Sequence, residues 1–447
     1  MATETTHGRR EGPVLEEEFE HVPVPEDRRK SLVSVAAVWF GFPMILTNAL
    51  FGGIYVAFLG FWTGVLAMLV GNVVLSIYVG MLSYRAGSTG RSFALQAQQT
   101  FGRYGYVVVS GFLATLVIGW FAFQTGLTGQ TLQTSFGANA FLMTLIAGVL
   151  YIAVTFVGIR ALAILGWVSA PLFVVLAALA IFLVTRENGL GGVFSYTPEP
   201  GVAGAAGALT FGAVVSVTIA GFVDSGTMTA DFTRWSKNGR QGALAAFFAF
   251  PVANMISMLV GGVIVAAGAS GDPTTAGGDF LPILADGGPV LAVVAVLFVF
   301  INLGSVCTHC LYNGAVGWSY ITGGKMRLLT VVLGVIGVVA ALAGIWSLFL
   351  NWLNLLGVLV PPLGAIIIMD QLVLRRETVD DTLVSWRPTA FFSWAFAAGV
   401  ALLVNSQAPR LSVAVVGIAV AIATYTAATL LAGRRREPEA ALSRDAT

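Results

Sequence analysis

The sequence is poor in charged residues. Only 10% of its 447 residues are charged, against about a quarter in ordinary soluble domains, whereas 57% are hydrophobic. This balance excludes an ordinary soluble domain and indicates a protein that crosses the lipid bilayer many times. The formal net charge is +1, so the charge balance gives no reason to expect a nucleic-acid partner.

Cysteine and histidine are also scarce. The two cysteines flank one of the three histidines in the sequence CTHC at 307–310. Two cysteines and one histidine within a single helical turn lack the four converging ligands of a structural zinc site. His309 is the only histidine within a predicted span, so the nucleophile, base or metal cluster of a membrane enzyme is not evident. We therefore predict that the protein is not an enzyme and that His309 is either a packing residue or a proton carrier.

Long apolar stretches fill most of the chain. Segments of about 20 residues, the length that crosses the hydrocarbon core, predict twelve spans. They lie at 32–57, 61–84, 106–130, 139–158, 161–185, 207–230, 242–268, 289–314, 327–344, 346–369, 389–405 and 411–432. Only Arg186 and Arg410 of the 23 lysines and arginines fall in the odd-numbered loops, which predicts that both termini are cytoplasmic.

The spans also define the domain organisation. Residues 1–30 are predicted to form a cytoplasmic N-terminal arm without stable structure, residues 31–432 the twelve-helix membrane domain, and residues 433–447 a cytoplasmic tail. The protein is accordingly expected to be a multi-pass protein of the cell (plasma) membrane.

Two spans contain residues that interrupt helices. The first span has the sequence GFP at 41–43 and then two glycines at 52–53. The sixth has Gly204, Gly207, Gly212, Gly221 and Gly226. Proline removes a backbone donor and glycine weakens helical continuity, so both helices are expected to break near the middle of the membrane. Broken helices at matching positions of two halves are typical of secondary transporters with inverted repeats. Close packing of helices at glycine is the alternative explanation.

Four segments carry a resemblance to a known family. GTMTADFTRWSKN (226–238), GWF (119–121), NLGSVCTHCLYNG (302–314) and PPLGAIIIMD (361–370) together resemble the nucleobase/cation symporter family, and in particular its cytosine permease-like branch. The similarity extends from about Val22 to the last span. It implies an all-α membrane protein of twelve transmembrane helices, with a five-plus-five inverted repeat of the leucine-transporter type and two C-terminal helices.

The resemblance also implies a function. The protein is expected to import a nucleobase or a related nitrogen heterocycle, cytosine-like or purine-like, by secondary active transport coupled to sodium or protons. The alternative is a proton-coupled transporter of an amine-bearing or cationic heterocycle that uses Asp224. A channel would need a pore lined by repeated polar rings, whereas the polar residues here concentrate at a few positions. A substrate-sensing receptor is a further alternative.

The family pattern places the substrate between two aromatic residues. The matching positions are Trp120 in the third span and Phe222 in the sixth, and stacking on such faces suits any planar base. Gln124 lies on the same helical face as Trp120 and offers both a donor and an acceptor. Cys307, like Val117, stands where cytosine permeases place an amide side chain. The predicted substrate site comprises Trp120, Gln124, Gly221, Phe222, Asp224, Ser225 and Cys307.

The resemblance further implies a sodium site between the first and eighth spans. Its matching positions are Gly41, Met44 and Asn302 for carbonyl ligands and Ser305 for a hydroxyl. Val306 stands where a second hydroxyl would strengthen the site, so coupling to protons remains the alternative.

Asp224 is the least expected residue of the sixth span. A carboxylate in hydrocarbon costs roughly 3 kcal/mol, and such groups usually have a function. Three roles are open: a hydrogen-bond acceptor for a substrate N–H or amine, a carrier of the coupling proton, or a cap on the second half of a broken helix.

Overall fold

The computed structural model describes residues 17–202, 209–374 and 383–444, and every regular element in these ranges is helical. A single bridge between Lys30 and Ser236 is the extended pairing recorded there. The all-helical class predicted from the apolar stretches is therefore confirmed.

The described residues of the first half of the chain form seven α-helices before a long connection. They are α1 (Leu32–Gly41), α2 (Leu46–Leu59), α3 (Phe61–Thr89), α4 (Phe93–Phe101), α5 (Gly105–Phe136), α6 (Ala140–Val157) and α7 (Ile159–Asn188). Ser31, Ser92 and Asn139 cap α1, α4 and α6 by accepting a hydrogen bond from a backbone N–H of the first turn.

Eleven further α-helices lie in the part of the second half that the structure describes. They are α8 (Phe211–Ala220), α9 (Val223–Thr227), α10 (Ala230–Thr233), α11 (Gly239–Phe247), α12 (Met255–Ala266), α13 (Leu281–Ala285), α14 (Pro289–Thr322), α15 (Met326–Leu342), α16 (Phe349–Ile368), α17 (Pro388–Gln407) and α18 (Val413–Arg444). A π-helical segment, Phe248–Asn254, joins α11 to α12 around Pro251.

Nine helices of the described ranges are long and apolar enough to cross a membrane, or ten if α1 and α2 count as one bent span. The shorter apolar helices α8 and α15 lie at the predicted sixth and ninth spans. The prediction of a multi-pass helical protein is thus confirmed. The count of twelve spans and the inverted repeat remain predictions.

Both predicted interruptions occur where GFP and Gly221 stand. Helices α1 and α2 meet at 56° across residues 42–45, and α8 ends at Ala220 before the short helices α9 and α10. Pro43 cannot donate a backbone hydrogen bond, which explains why α1 does not continue. Gly204 and Gly207 lie outside the described residues.

The glycine pair at 52–53 has a different role from the predicted break. Both residues lie inside α2, and a Cβ atom on Gly52 would lie 1.9 Å from the Met258 carbonyl oxygen of α12. The pair therefore allows two helix backbones to approach closely, as small residues do in membrane bundles.

Two features of the fold differ from the sequence prediction. Helix α4 is a short helix between α3 and α5 that no predicted span covers. Residues 18–30, expected to lack structure, pack against the helix ends: Lys30 N–H donates to the Trp235 carbonyl and Val24 N–H to the Gly90 carbonyl.

Candidate functional site

A buried cavity lies where the two broken spans meet. Its lining comes mainly from α2, α5, α9 and α14 and from the breaks before α2 and α9. The lining residues are Phe42, Ile45, Thr47, Asn48, Phe51, Tyr55, Trp120, Gln124, Val217, Gly221, Phe222, Asp224, Ser225, Met258, Val306, Cys310 and Leu353. The cavity volume is only about 20 Å³, which is room for about one water molecule. A larger ligand therefore requires the lining side chains to move.

The two predicted stacking residues both line this cavity. Trp120 projects from α5 and Phe222 from the break between α8 and α9, where its φ of −140° departs from helical geometry. Phe222 is held edge-on by the Phe42 ring, with centroids 5.2 Å apart, and also contacts Phe250. The broken helix therefore presents an aromatic side chain that a continuous helix would orient differently.

Gln124 provides one polar edge of the cavity. Its carboxamide oxygen accepts a hydrogen bond from the Thr47 hydroxyl at 3.0 Å, which joins α5 to α2. Its amide nitrogen is buried and has no hydrogen-bond partner within the described residues. Because Gln124 and Trp120 line the same cavity, their predicted common face is the one turned toward the site.

Asp224 provides the second polar edge. Its Oδ1 atom accepts a hydrogen bond from the Ser225 N–H at 2.7 Å in the first turn of α9. The residue is 1% exposed, and its Oδ2 atom has no hydrogen bond of normal geometry within the described ranges. The Trp120 side chain interacts with this carboxylate. Phe222 stands at the N-cap of α9 and makes no side-chain cap hydrogen bond, whereas Asp224 accepts from its neighbour's N–H within the first turn and lines the cavity.

The remaining predicted residues divide between the cavity and its surroundings. Gly221 and Ser225 line the cavity, whereas the structure places Cys307 behind it, 3.6 Å from the Thr125 hydroxyl. Cys310, one turn further along α14, takes the lining position. Phe42 and Asn48 line the cavity as well and were not predicted, although Phe42 is part of the GFP interruption and Asn48 follows it in the first turn of α2.

The four residues of the predicted sodium site converge between the first break and α14. The Ser305 hydroxyl donates to the Gly41 carbonyl at 3.1 Å, and the Asn302 amide donates to the Met44 carbonyl at 2.8 Å. Asn302 also accepts from the Leu46 N–H at 2.8 Å. Val306, next to Ser305, is buried, and its side chain supplies no oxygen. Carbonyl and hydroxyl oxygens are therefore assembled here, but side-chain donors of the protein contact the same carbonyls.

His309 connects the same two elements. Its Nε2 atom lies 2.8 Å from the Val38 carbonyl of α1, its Nδ1 atom contacts the Ser305 carbonyl, and its ring stacks on Phe42 at 4.8 Å. The described residues contain no group of three or more histidine, cysteine, aspartate or glutamate side chains that could hold a metal ion. His309 therefore joins α1 to α14 within an aromatic cluster.

A family model described as "Permease for cytosine/purines, uracil, thiamine, allantoin" matches residues 21–433. The chain belongs to this permease family. The resemblance predicted from the four sequence segments is therefore confirmed, and the protein is a membrane transporter rather than an enzyme.

Relatives with similar sequences are also permeases. Cytosine permeases of Escherichia coli strains K12 and O157:H7 are each 28% identical over 359 residues, which is 80% of this chain and 82% of theirs.

Solved structures show the same fold. Mhp1, a nucleobase-cation-symport-1 family transporter in a closed conformation with bromovinylhydantoin bound, matches with a TM-score of 0.74 at 19% identity over 94% of this chain and 97% of its own. A Na⁺-coupled sialic acid symporter in a substrate-bound outward-open state matches with a TM-score of 0.65 at 14% identity over 90% of both chains. At these identities the likeness concerns the fold of the permease.

Proposed function

We propose that the permease imports a nucleobase or a related nitrogen heterocycle by secondary active transport, and that the cavity at the two breaks is its substrate site. The observation that carries this proposal is the meeting of Trp120, Phe222, Gln124 and Asp224 at one buried cavity. Two aromatic side chains favour a flat ring, and the polar edges of Gln124 and Asp224 favour a ring with both acceptors and donors.

The unsatisfied atoms suggest how the ring is oriented. The amide nitrogen of Gln124 is a donor and pairs with a ring carbonyl or an unprotonated ring nitrogen. The Oδ2 atom of Asp224 is an acceptor and pairs with a ring N–H or an exocyclic amine, and hydrogen bonds to a carboxylate are among the stronger ones. A substrate that offers an acceptor on one edge and donors on another satisfies both buried groups, which are otherwise costly to leave unpaired.

The same carboxylate supports the second candidate, an amine-bearing or cationic heterocycle transported with a proton. A ligand cation next to Asp224 would compensate the buried negative charge. The cytosine permease relatives and the hydantoin bound to Mhp1 favour the uncharged nucleobase-like class, so we rank the cationic class second.

Transport requires an ion and two accessible states. In this proposal the twelve spans form a five-plus-five inverted repeat with two additional helices, and one bundle rocks against the other around the broken spans.

The coupling ion is either a proton or a sodium ion bound by Gly41, Met44, Asn302 and Ser305. The convergence of these residues supports sodium, whereas the apolar Val306 supports the proton. The protein would act in the plasma membrane with both termini in the cytoplasm.

A thermal-shift screen tests the substrate class. Purified permease is heated with nucleobases, hydantoins, allantoin, aminopyrimidines and small amines, because a ligand that binds only the folded state raises its Tm. We expect a flat nitrogen heterocycle to raise the Tm of the parent. Asp224→Asn should lose the shift selectively for ligands with an exocyclic amine. If only non-aromatic amines stabilise the parent, the heterocycle proposal is wrong.

A further inference from the structure

The N-terminal arm buries an acidic side chain among three elements. Glu18 is 3% exposed, and its carboxylate accepts hydrogen bonds from the Ile159 N–H of α7 at 3.1 Å and from the Tyr312 hydroxyl of α14 at 2.8 Å. Two residues later, the Glu20 carboxylate accepts from the Met326 N–H at the start of α15. Residues 18–20 therefore contact the starts of α7 and α15 and Tyr312 in the interior of α14.

The same three residues are held from the other side by the segment after α10. The guanidinium of Arg234, which is fully buried, donates to the Phe19 carbonyl at 2.7 Å and to the Glu18 carbonyl at 2.8 Å. The Phe19 ring packs edge-on against Trp235, with centroids 5.9 Å apart. Segment 234–235 leads directly into α11, so the arm links α7, α14 and α15 to the chain that connects α10 with α11.

Phe19 adopts an unusual backbone conformation at this junction. Its φ is +49°, the only positive φ of a non-glycine residue in the described ranges. An aromatic residue rarely adopts this left-handed conformation, and such strain persists where surrounding contacts enforce it. The arm is thus held in place by its partners rather than by its own conformational preference.

The arm contacts two elements that also line the cavity. In α14, Cys310 lines the cavity and Tyr312, two residues later, donates to Glu18. In the sixth span, Asp224 of α9 lines the cavity, and the same segment continues through α10 to Arg234, which donates to the arm. The arm therefore holds together two elements that both line the cavity.

We propose that residues 18–20 form a cytoplasmic latch that holds α7 and α14 against segment 234–235, and that the latch must release before the cavity opens to the cytoplasm. This inference rests on the alternating access proposed above. The contacts are suited to release, because within the described residues the buried carboxylate of Glu18 is held by two neutral donors, the Ile159 N–H and the Tyr312 hydroxyl, and not by a guanidinium. Burial raises the pKa of the Glu18 carboxyl, and the Tyr312 hydrogen bond and the Arg234 charge only partly oppose that shift.

The latch is tested by two variants and a matched control. Glu18→Ala removes the carboxylate, and Tyr312→Phe removes only the hydroxyl that donates to it. Glu26→Ala makes the same change at an exposed position of the same arm.

Spin labels report the distance across the latch. They are attached at Thr322→Cys on α14 and Arg240→Cys on α11, which are both exposed positions, and the native Cys307 and Cys310 are replaced by alanine. Distances between the labels are measured by double electron–electron resonance without substrate.

We expect Glu18→Ala and Tyr312→Phe to add a longer-distance population that neither the parent nor Glu26→Ala shows. If Glu18→Ala does not fold, Tyr312→Phe alone decides. Distance distributions that coincide with those of Glu26→Ala, in variants with a parental Tm, would overturn the latch. Because no substrate is present, a wrong substrate class affects the thermal-shift screen and leaves this measurement valid.

Discussion

Individual side chains at the cavity make separable contributions to binding. Trp120 offers a stacking face, Gln124 an amide donor and Asp224 a carboxylate acceptor. Stacking contributes roughly 1–3 kcal/mol per base and does not distinguish one base from another. Affinity is therefore expected to depend most on Trp120, and discrimination between heterocycles most on the two polar residues.

Trp120→Ala should weaken substrate binding by roughly 5- to 150-fold, the factor that corresponds to the stacking energy. The matched control is Trp62→Ala, because Trp62 lies on α3 with 64% of its surface exposed and outside the cavity lining. Binding is measured by titration of the purified protein with the heterocycle found in the thermal screen. Equal affinities of the two folded variants would mean that Trp120 does not stack on the substrate.

Ser305→Ala tests the ion. Its hydroxyl contacts the Gly41 carbonyl, so its loss should reduce sodium-stimulated uptake more than substrate binding at saturating sodium. Ser393→Ala is a suitable control, since Ser393 is equally buried on α17 and its hydroxyl donates to the Thr389 carbonyl of the same helix. Uptake that ignores sodium but collapses with a protonophore would assign coupling to protons instead.

The residues of the site could be predicted from the sequence only in part. Trp120, Gln124, Phe222 and Asp224 line the cavity as the motifs suggested. The choice between Cys307 and Cys310 depends on the rotation of α14 about its own axis, and a run of consecutive apolar residues leaves this rotation undetermined. The hydrogen bond from Thr47 to Gln124 joins two helices that are distant in the sequence, and no local sequence pattern reveals such a contact.

At the scale of elements, the broken helices are the part that sequence predicts best. The GFP sequence at 41–43 marks the first break because proline and glycine act locally on the backbone. Other glycines serve contacts between helices, and the sequence alone does not separate the two uses. Gly52 in α2 serves such a contact. Gly41 serves both uses, because it ends α1 beside the break and a Cβ atom on it would lie 2.4 Å from the Gly166 Cα atom of α7.

Gly41→Ala should therefore lower stability by about 1–3 kcal/mol, the usual cost of overpacking, as α1 and α7 are pushed apart. In contrast, Gly80→Ala on α3 meets no atom within 4 Å and should leave stability unchanged or raise it by about 0.5–1 kcal/mol, since glycine is a poor helix former. Thermal unfolding in detergent compares the two. A Gly41→Ala protein as stable as Gly80→Ala would show that the α1–α7 contact is less tight than described.

At the scale of the whole molecule, composition alone identified a multi-pass helical protein, because burial in lipid requires long apolar helices. The ordered arm could not be predicted in this way. Its residues are polar and resemble a solvated terminus, and only the helix ends contacted by Glu18 and Glu20 explain why they are fixed. The arm therefore belongs to the packed helical bundle.

The central claim is coupled transport of a heterocycle, and accumulation in proteoliposomes tests it most directly. Purified permease is reconstituted, an inward sodium or proton gradient is imposed, and uptake of the labelled heterocycle found in the thermal screen is followed over time. We predict accumulation above the external concentration that disappears when the gradient is dissipated and is strongly reduced in Trp120→Ala. Uptake that stops at equal concentrations would indicate a channel, binding without uptake would indicate a receptor, and either result would contradict the account.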